Sequence, residues 1–272
     1  MISSTMLKVK LVLVSLLVNV PKLKDFSIKA KMIEAGSMSD FNDIYVMGKV
    51  FKYADVKTLL EFGAGNGGWA VVCKYIAEKK ICETYYPLDN LHWHTNDQYF
   101  MKEKFQLDWY TNPQDIVDYC EREMECLVKF LELNVTSDTF TSQIQNLFPN
   151  NSLDAFRVDI QVGRWHVRHF IERCLSENGL VFYDDVRFNA GFERCMTVAW
   201  LMQEIDLYPV VFTNQEVVLC KNKDYSLYLQ DKLKQELDES IFYFKNNHYT
   251  FTDEKSYQWI SMVDHSILDK FN

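Results

Sequence analysis

The sequence lacks any long run of basic residues, and its formal net charge is −9, from 29 Lys and Arg against 38 Asp and Glu. A nucleic-acid surface carries a basic stripe, so nucleic acid is not expected as a partner. There is no C-x-x-C pair among the seven cysteines, at 73, 82, 120, 126, 174, 195 and 220. An odd count, scattered over predicted helices and strands, reads as reduced, buried thiols of a cytoplasmic protein. The apolar run from Leu11 to Val20 is too short to span a bilayer, and Pro21 and Lys22 follow it with no small-x-small cleavage site. It reads as a packing helix rather than a signal or membrane segment. Internal repeats and low-complexity stretches are also absent.

What is present suits one large domain with appendages: 272 residues, 48% of them hydrophobic. The segment Thr58-Leu59-Leu60-Glu61-Phe62-Gly63-Ala64-Gly65-Asn66-Gly67-Gly68-Trp69 reads as a buried strand over 58–62, an acid, a glycine turn and a helix over 69–78. Glycine permits positive φ and close approach of a ligand to the backbone, and the helix start offers N–H groups to a polar ligand. Ahead of it, Phe41, Ile44, Tyr45, Met47, Val50 and Phe51 recur at helical spacing, with Asp40 as N-cap.

Further strands are predicted over 81–88, 126–133, 153–158 and 180–183, and a hairpin over 208–213 and 216–220. Helices are predicted over 115–125, 142–147, 165–175 (capped by Asn178-Gly179), 191–204 and 227–244. Residues 90–113 form a polar, aromatic segment longer than an ordinary strand-to-helix loop, suited to a lid or an acceptor site. Alternation of strands and helices implies an α/β fold: a doubly wound, Rossmann-like, seven-stranded, mostly parallel sheet with a terminal antiparallel hairpin. Residues 1–39 form a helical N-terminal extension, 40–221 the main domain and 222–272 a helical, aromatic C-terminal extension. The two extensions are candidate subunit contacts for a homodimer.

Four predicted strands end in acids: Glu61, Asp89, Asp159 and the pair Asp184-Asp185. Ligands of open α/β sheets sit at those ends. Asp89 is placed to take two ribose hydroxyls of an adenosine-containing cofactor. Asp159, Asp184 and Asp185 end neighbouring strands and supply the hard oxygen donors that Mg²⁺ requires. Such an ion orients and acidifies a substrate hydroxyl. The alternative is that the three carboxylates orient substrate rather than an ion.

The turn Glu61-Phe62-Gly63-Ala64-Gly65 resembles motif I of class I S-adenosylmethionine (SAM) methyltransferases. The segments Arg157-Val158-Asp159-Ile160-Gln161-Val162-Gly163-Arg164-Trp165-His166 and Gly179-Leu180-Val181-Phe182-Tyr183-Asp184-Asp185 resemble the metal-dependent macrocin-type and cephalosporin-hydroxylase-like O-methyltransferases. The likeness spans roughly residues 40–221. It implies that Glu61, Gly63 and Gly65 line the cofactor methionine, that Ala64 and Asn66 of the same turn also contact the cofactor, that Asp89 holds the ribose, and that Asp159, Asp184 and Asp185 hold Mg²⁺. The acceptor it implies is a hydroxyl of a small molecule. A base is needed for a neutral hydroxyl, and His94, then His92, stand in the segment after Asp89. Three alternatives stay open: a metal-independent N- or C-methyltransferase acting on a peptide or natural product, an RNA ribose methyltransferase using Asp159 and Glu216, and a non-catalytic SAM-fold subunit.

Overall fold

The computed structural model describes residues 21–37, 39, 41–90, 112–133, 140–160, 164–186, 197–198, 200–202, 204–213 and 216–237. Helices α1 (Pro21–Ala35) and α2 (Phe41–Tyr53) precede β1 (Thr58–Phe62). Then come α3 (Gly68–Ala77), β2 (Thr84–Asp89), α4 (Pro113–Met124), β3 (Leu127–Val128), β4 (Leu131–Glu132), α5 (Phe140–Gln145) and β5 (Leu153–Val158). After α6 (Arg164–His169), β6 (Leu175–Tyr183), β7 (Tyr208–Phe212) and β8 (Val217–Cys220), α7 (Lys223–Glu236) closes the described chain.

The strands make one sheet in the order β3-β2-β1-β5-β6-β8-β7, with β4 also on β2. Pairing is parallel from β3 to β6 and antiparallel across β6, β8 and β7. The expected strand over 126–133 is real but broken. β3 pairs with Thr84 and Tyr85, β4 with Leu88 and Asp89, and the ladder lapses between them. The two pieces share one place, so seven strand positions and the closing hairpin stand as expected.

Two expectations need correction. Asn178-Gly179 does not cap a helix. The helix ends in a π turn, Phe170–Cys174, and β6 starts at Leu175. Leu153 pairs with Leu175 but Ala155 with Leu180, so Asn178 and Gly179 fall in an irregularity of the ladder. Glycine inside a strand marks such a bulge as readily as a helix end. The C-terminal helix starts at Lys223 rather than 227, because the Asn222 side chain caps it by accepting from Asp224 N and Tyr225 N. Asp40, residues 1–20 and everything after 237 lie outside the described residues. Of the expected helix over 191–204, residues 197, 198, 200–202 and 204 are helical.

Alternation along the central strands separates two layers. Leu59, Ala155, Phe182 and Val218 face α2 and α3. Leu60, Phe62, Phe156, Val158 and Val181 face α5 and α6, where the rings of Phe62, Phe140, Phe156 and Phe170 meet edge-on or tilted. The same parity puts Glu61, Arg157, Asp159, Asp184 and Glu216 on the α2/α3 face. No described helix is long and apolar enough to cross a membrane.

α7 ties the hairpin to α2. Ser226 Oγ and Gln230 Nε2 both donate to Pro209 O, at 2.6 and 2.7 Å. Glu236 accepts from Lys49 Nζ at 2.5 Å, from Lys52 Nζ at 2.6 Å and from the Tyr53 hydroxyl. Burial opposes the charge on Glu236, but these three donors hold its carboxyl at about 2 against an ordinary 4.5. A carboxyl held down on folding adds stability above its unfolded value, and that stability is lost as pH falls from 4.5 toward 2. Glu236→Gln is therefore expected to cost about 1 kcal/mol near neutrality. Urea midpoints of the two proteins should converge on acidification through that window.

Candidate active site

β1 sits at the point where the chain reverses its direction of winding. β2, β3 and β4 lie on one side of it and β5 on the other. The crevice at the carboxyl ends of β1 and β5 is where open α/β sheets take ligands. Gly63, Gly65 and Gly67 there have φ of 78°, 57° and 77°, a region in which side chains with Cβ are strained. Gly63 also has no room: a Cβ would lie 2.4 Å from Ile160 Cγ2 and 3.0 Å from Asp159 O.

The turn is held by hydrogen bonds from its neighbours. Gly63 N and Ala64 N donate to Leu88 O at 2.9 and 3.2 Å, and Gly67 N to Ala64 O at 2.8 Å. Gly65 N donates to Asp89 Oδ2 at 3.0 Å. Asn66 reaches Ala35 O through Nδ2 at 2.9 Å and accepts from Gly68 N at 3.2 Å through Oδ1. The end of α1 is thus seated on the turn. Ser37 Oγ, beside Gly68, and Trp69 Nε1, on a ring that lies over Arg157, are buried with no hydrogen-bond partner among the described residues. Such orphaned donors are costly unless a ligand or water meets them.

Beneath the turn lies a buried charge cluster centred on Arg157, which is 1% exposed. Its Nη1 is 2.7 Å from Glu61 Oε1 and 2.8 Å from Asp159 Oδ2. Its Nη2 is 2.6 Å from Asp184 Oδ2 and its Nε 3.1 Å from Glu216 Oε1. The guanidinium carbon lies 4.5 Å from the centre of the Trp69 ring, a cation–π distance. The register makes the cluster: Glu61 is the ladder partner of Arg157. Asp159, Asp184 and Glu216 stand one step past the pairs Val158↔Tyr183 and Tyr183↔Val217.

Glu61 is completely enclosed, and its second oxygen accepts from the Tyr85 hydroxyl at 2.5 Å. Burial pushes its carboxyl up, against the pull of Arg157 and Tyr85. Burial, reinforced by Asp184, likewise raises Glu216 well above the carboxylate range. Asp159 is raised by burial against Arg157, with Asp184 adding to the rise through a hydrogen bond between the two carboxyls. With 31% of the Asp159 side chain open, the contact with Asp184 is the firmer cause.

These placements redistribute the residues singled out in the sequence. Glu61 supports the turn from below rather than lining its surface. Gly63, Ala64, Gly65 and Asn66 form the turn, and Asp89 is bonded to it. Asp159 and Asp184 do come together, but around a guanidinium. Asp184 Oδ1 also accepts from Asp185 N at 2.7 Å, and Asp185 has a left-handed backbone with φ 57°. No group of three His, Cys, Asp or Glu among the described residues is arranged to hold a metal. The expected Mg²⁺ set therefore does not fit: a divalent ion there would have to displace a cation already in contact with both acids. His92 and His94 lie outside the described residues, as do Trp93, Tyr99, Phe100, Trp109 and Tyr110. His166 and His169 pack edge-on against Phe140 and Phe170.

Three functional-looking residues were not singled out for these roles: Arg157, Tyr85 and, as a partner of Arg157, Glu216. The signal was there for the first. An arginine inside the apolar strand Leu153-Asp154-Ala155-Phe156-Arg157-Val158 must find acids on neighbouring strands, because an unpaired buried charge is too costly.

No protein-family model and no curated protein matches the chain. Among solved structures, it is similar to the O-methyltransferase NovP at 13% identity and TM-score 0.46, over 68% of this chain and 82% of that one. It is similar to the Podospora anserina methyltransferase PaMTH1 at 16% identity and TM-score 0.44, over 74% and 82%. A spermidine synthase from Thermotoga maritima matches at 11% identity and TM-score 0.42, over 71% of this chain but only 62% of that one. Likenesses this remote assign no activity; the chain's own geometry has to do so.

Tyr85→Phe removes the hydroxyl that serves the enclosed Glu61 and leaves a buried acceptor unpaired. The expected cost is about 1–3 kcal/mol, read from chemical denaturation.

Proposed function

We propose that this chain is a SAM-dependent methyltransferase acting on a small-molecule or peptide acceptor. The observation that carries the reading is the left-handed glycine turn at the switch point between β1 and β5, bonded through Gly65 N to the acid that ends the next strand, Asp89. A turn fixed in advance loses little entropy when a cofactor arrives. The buried, unpartnered Ser37 Oγ adds a donor close to Gly68 at the start of α3, where a carboxylate is favoured by the helix end.

SAM, when bound, supplies an electrophilic methyl group on a sulfonium. The chain's own work is to bind, orient and exclude water. Gly63 to Gly67 shape the backbone wall, Asp89 orients the ribose, and Asp159 and Asp184 face the acceptor side of the crevice. The resemblance to metal-dependent O-methyltransferases implies Mg²⁺ on those two acids and Asp185. The ion pairs of Asp159 and Asp184 with Arg157 favour the metal-independent alternative instead, with an amine, a carbon or a base-activated hydroxyl as acceptor. His94, or His92 in its place, would be the group that takes the acceptor's proton.

Calorimetric titration of S-adenosylhomocysteine (SAH) tests the reading. Micromolar binding is expected, with loss in Gly65→Val and weakening of at least about tenfold in Asp89→Ala, worth about 1.4 kcal/mol. Absence of SAH binding to the wild type would contradict the reading and favour a non-catalytic subunit. Once an acceptor is found, His94→Ala should lower turnover while leaving SAH affinity unchanged.

A further inference from the structure

We infer that Arg157 is a positioning residue that stands in for a divalent ion, binding the acids of four strand ends into one preorganised rim around the cofactor crevice. The inference rests on the methyltransferase reading for its purpose but on the ion pairs for its substance. Every donor nitrogen of the guanidinium is committed: Nη1 to Glu61 and Asp159, Nη2 to Asp184, Nε to Glu216. These acids come from β1, from the ends of β5 and β6, and from the start of the closing strand β8.

The fork geometry matters. A planar guanidinium reaches separate carboxylates in fixed directions, whereas an ammonium is a point charge. Arg157 is therefore able to do what a metal does structurally: gather oxygens from different elements and fix their spacing. It differs in offering no open position to a substrate oxygen. The Trp69 ring on its face and the fully enclosed Glu61 and Glu216 keep water from competing for it. Glu61 lies directly under the glycine turn, so the same cation that aligns Asp159 and Asp184 also supports the cofactor loop.

Two properties follow. The wild type should have no divalent-ion site at Asp159 and Asp184. Removal of the guanidinium charge should create one, because the gathered carboxylates would then face each other without a cation.

Electron paramagnetic resonance titration with Mn²⁺, on the full chain, reads both. Wild type is expected to bind no Mn²⁺ at these acids. Arg157→Gln is expected to gain a Mn²⁺ site that the wild type lacks, to lose it when Asp184→Asn is added, and to bind SAH at least about tenfold more weakly. Arg157→Lys should stay metal-free, since it keeps the charge. Stoichiometric Mn²⁺ on the wild type that Asp184→Asn removes would overturn the inference. So would a folded Arg157→Gln with unchanged Mn²⁺ and SAH binding, which a purely packing role predicts. Should Arg157→Gln fail to fold, the wild-type and Arg157→Lys titrations decide alone. Failure of SAH to bind the wild type would sink the methyltransferase reading and leave the Mn²⁺ results to judge Arg157 independently.

Discussion

The carboxyl edge of this sheet depends on one buried guanidinium. Arg157 sits on the central strand β5 and meets acids from the strands on both sides of it. Without it, Glu61 and Glu216 would be enclosed carboxylates with no cation, a situation costing about 3–5 kcal/mol when a single buried partner is lost. With it, the strand ends are fixed relative to one another, and the glycine turn above Glu61 rests on a rigid base. Tyr85 completes that base from β2, so three neighbouring strands meet at one carboxylate.

The glycine turn is tied into its surroundings in the same way. Leu88 and Asp89 hold it from β2, and Ala35 holds it from the end of α1. This gives the N-terminal helix a part in the site, since Asn66 and Gly68 pack directly against Ala35. A turn restrained from both β2 and α1 is fixed in shape. The edge formed by the ends of β5 and β6 has less of this character: Asp159 remains a third open, and Asp185 has a left-handed backbone.

Much of this was legible in the sequence, for physical reasons that differ by residue. The strand at 58–62 and the turn at Gly63 were readable because a short apolar run ending in glycines admits few conformations. The hairpin at 208–220 was readable from two apolar runs around Asn214-Gln215. Asn178-Gly179 misled because glycine signals a helix end and a strand bulge equally well, and only the pairing of β5 with β6 tells them apart. The strand ends at Asp159 and Asp184 were located correctly, but carboxylates at adjacent strand ends invite any cation. Spacing along the chain does not say whether that cation is an ion or a side chain two residues away. The answer lay in the parity of β5, which puts Arg157 and Asp159 on the same face.

The most direct measurement is a crystal structure grown with both SAH and Mn²⁺ present. The account predicts SAH in the crevice over Gly63 to Gly67 with its ribose at Asp89, and Arg157 still joined to Asp159 and Asp184 with no metal between them. A manganese ion bound by Asp159 and Asp184 with Arg157 displaced, or SAH bound away from the glycine turn, would contradict it.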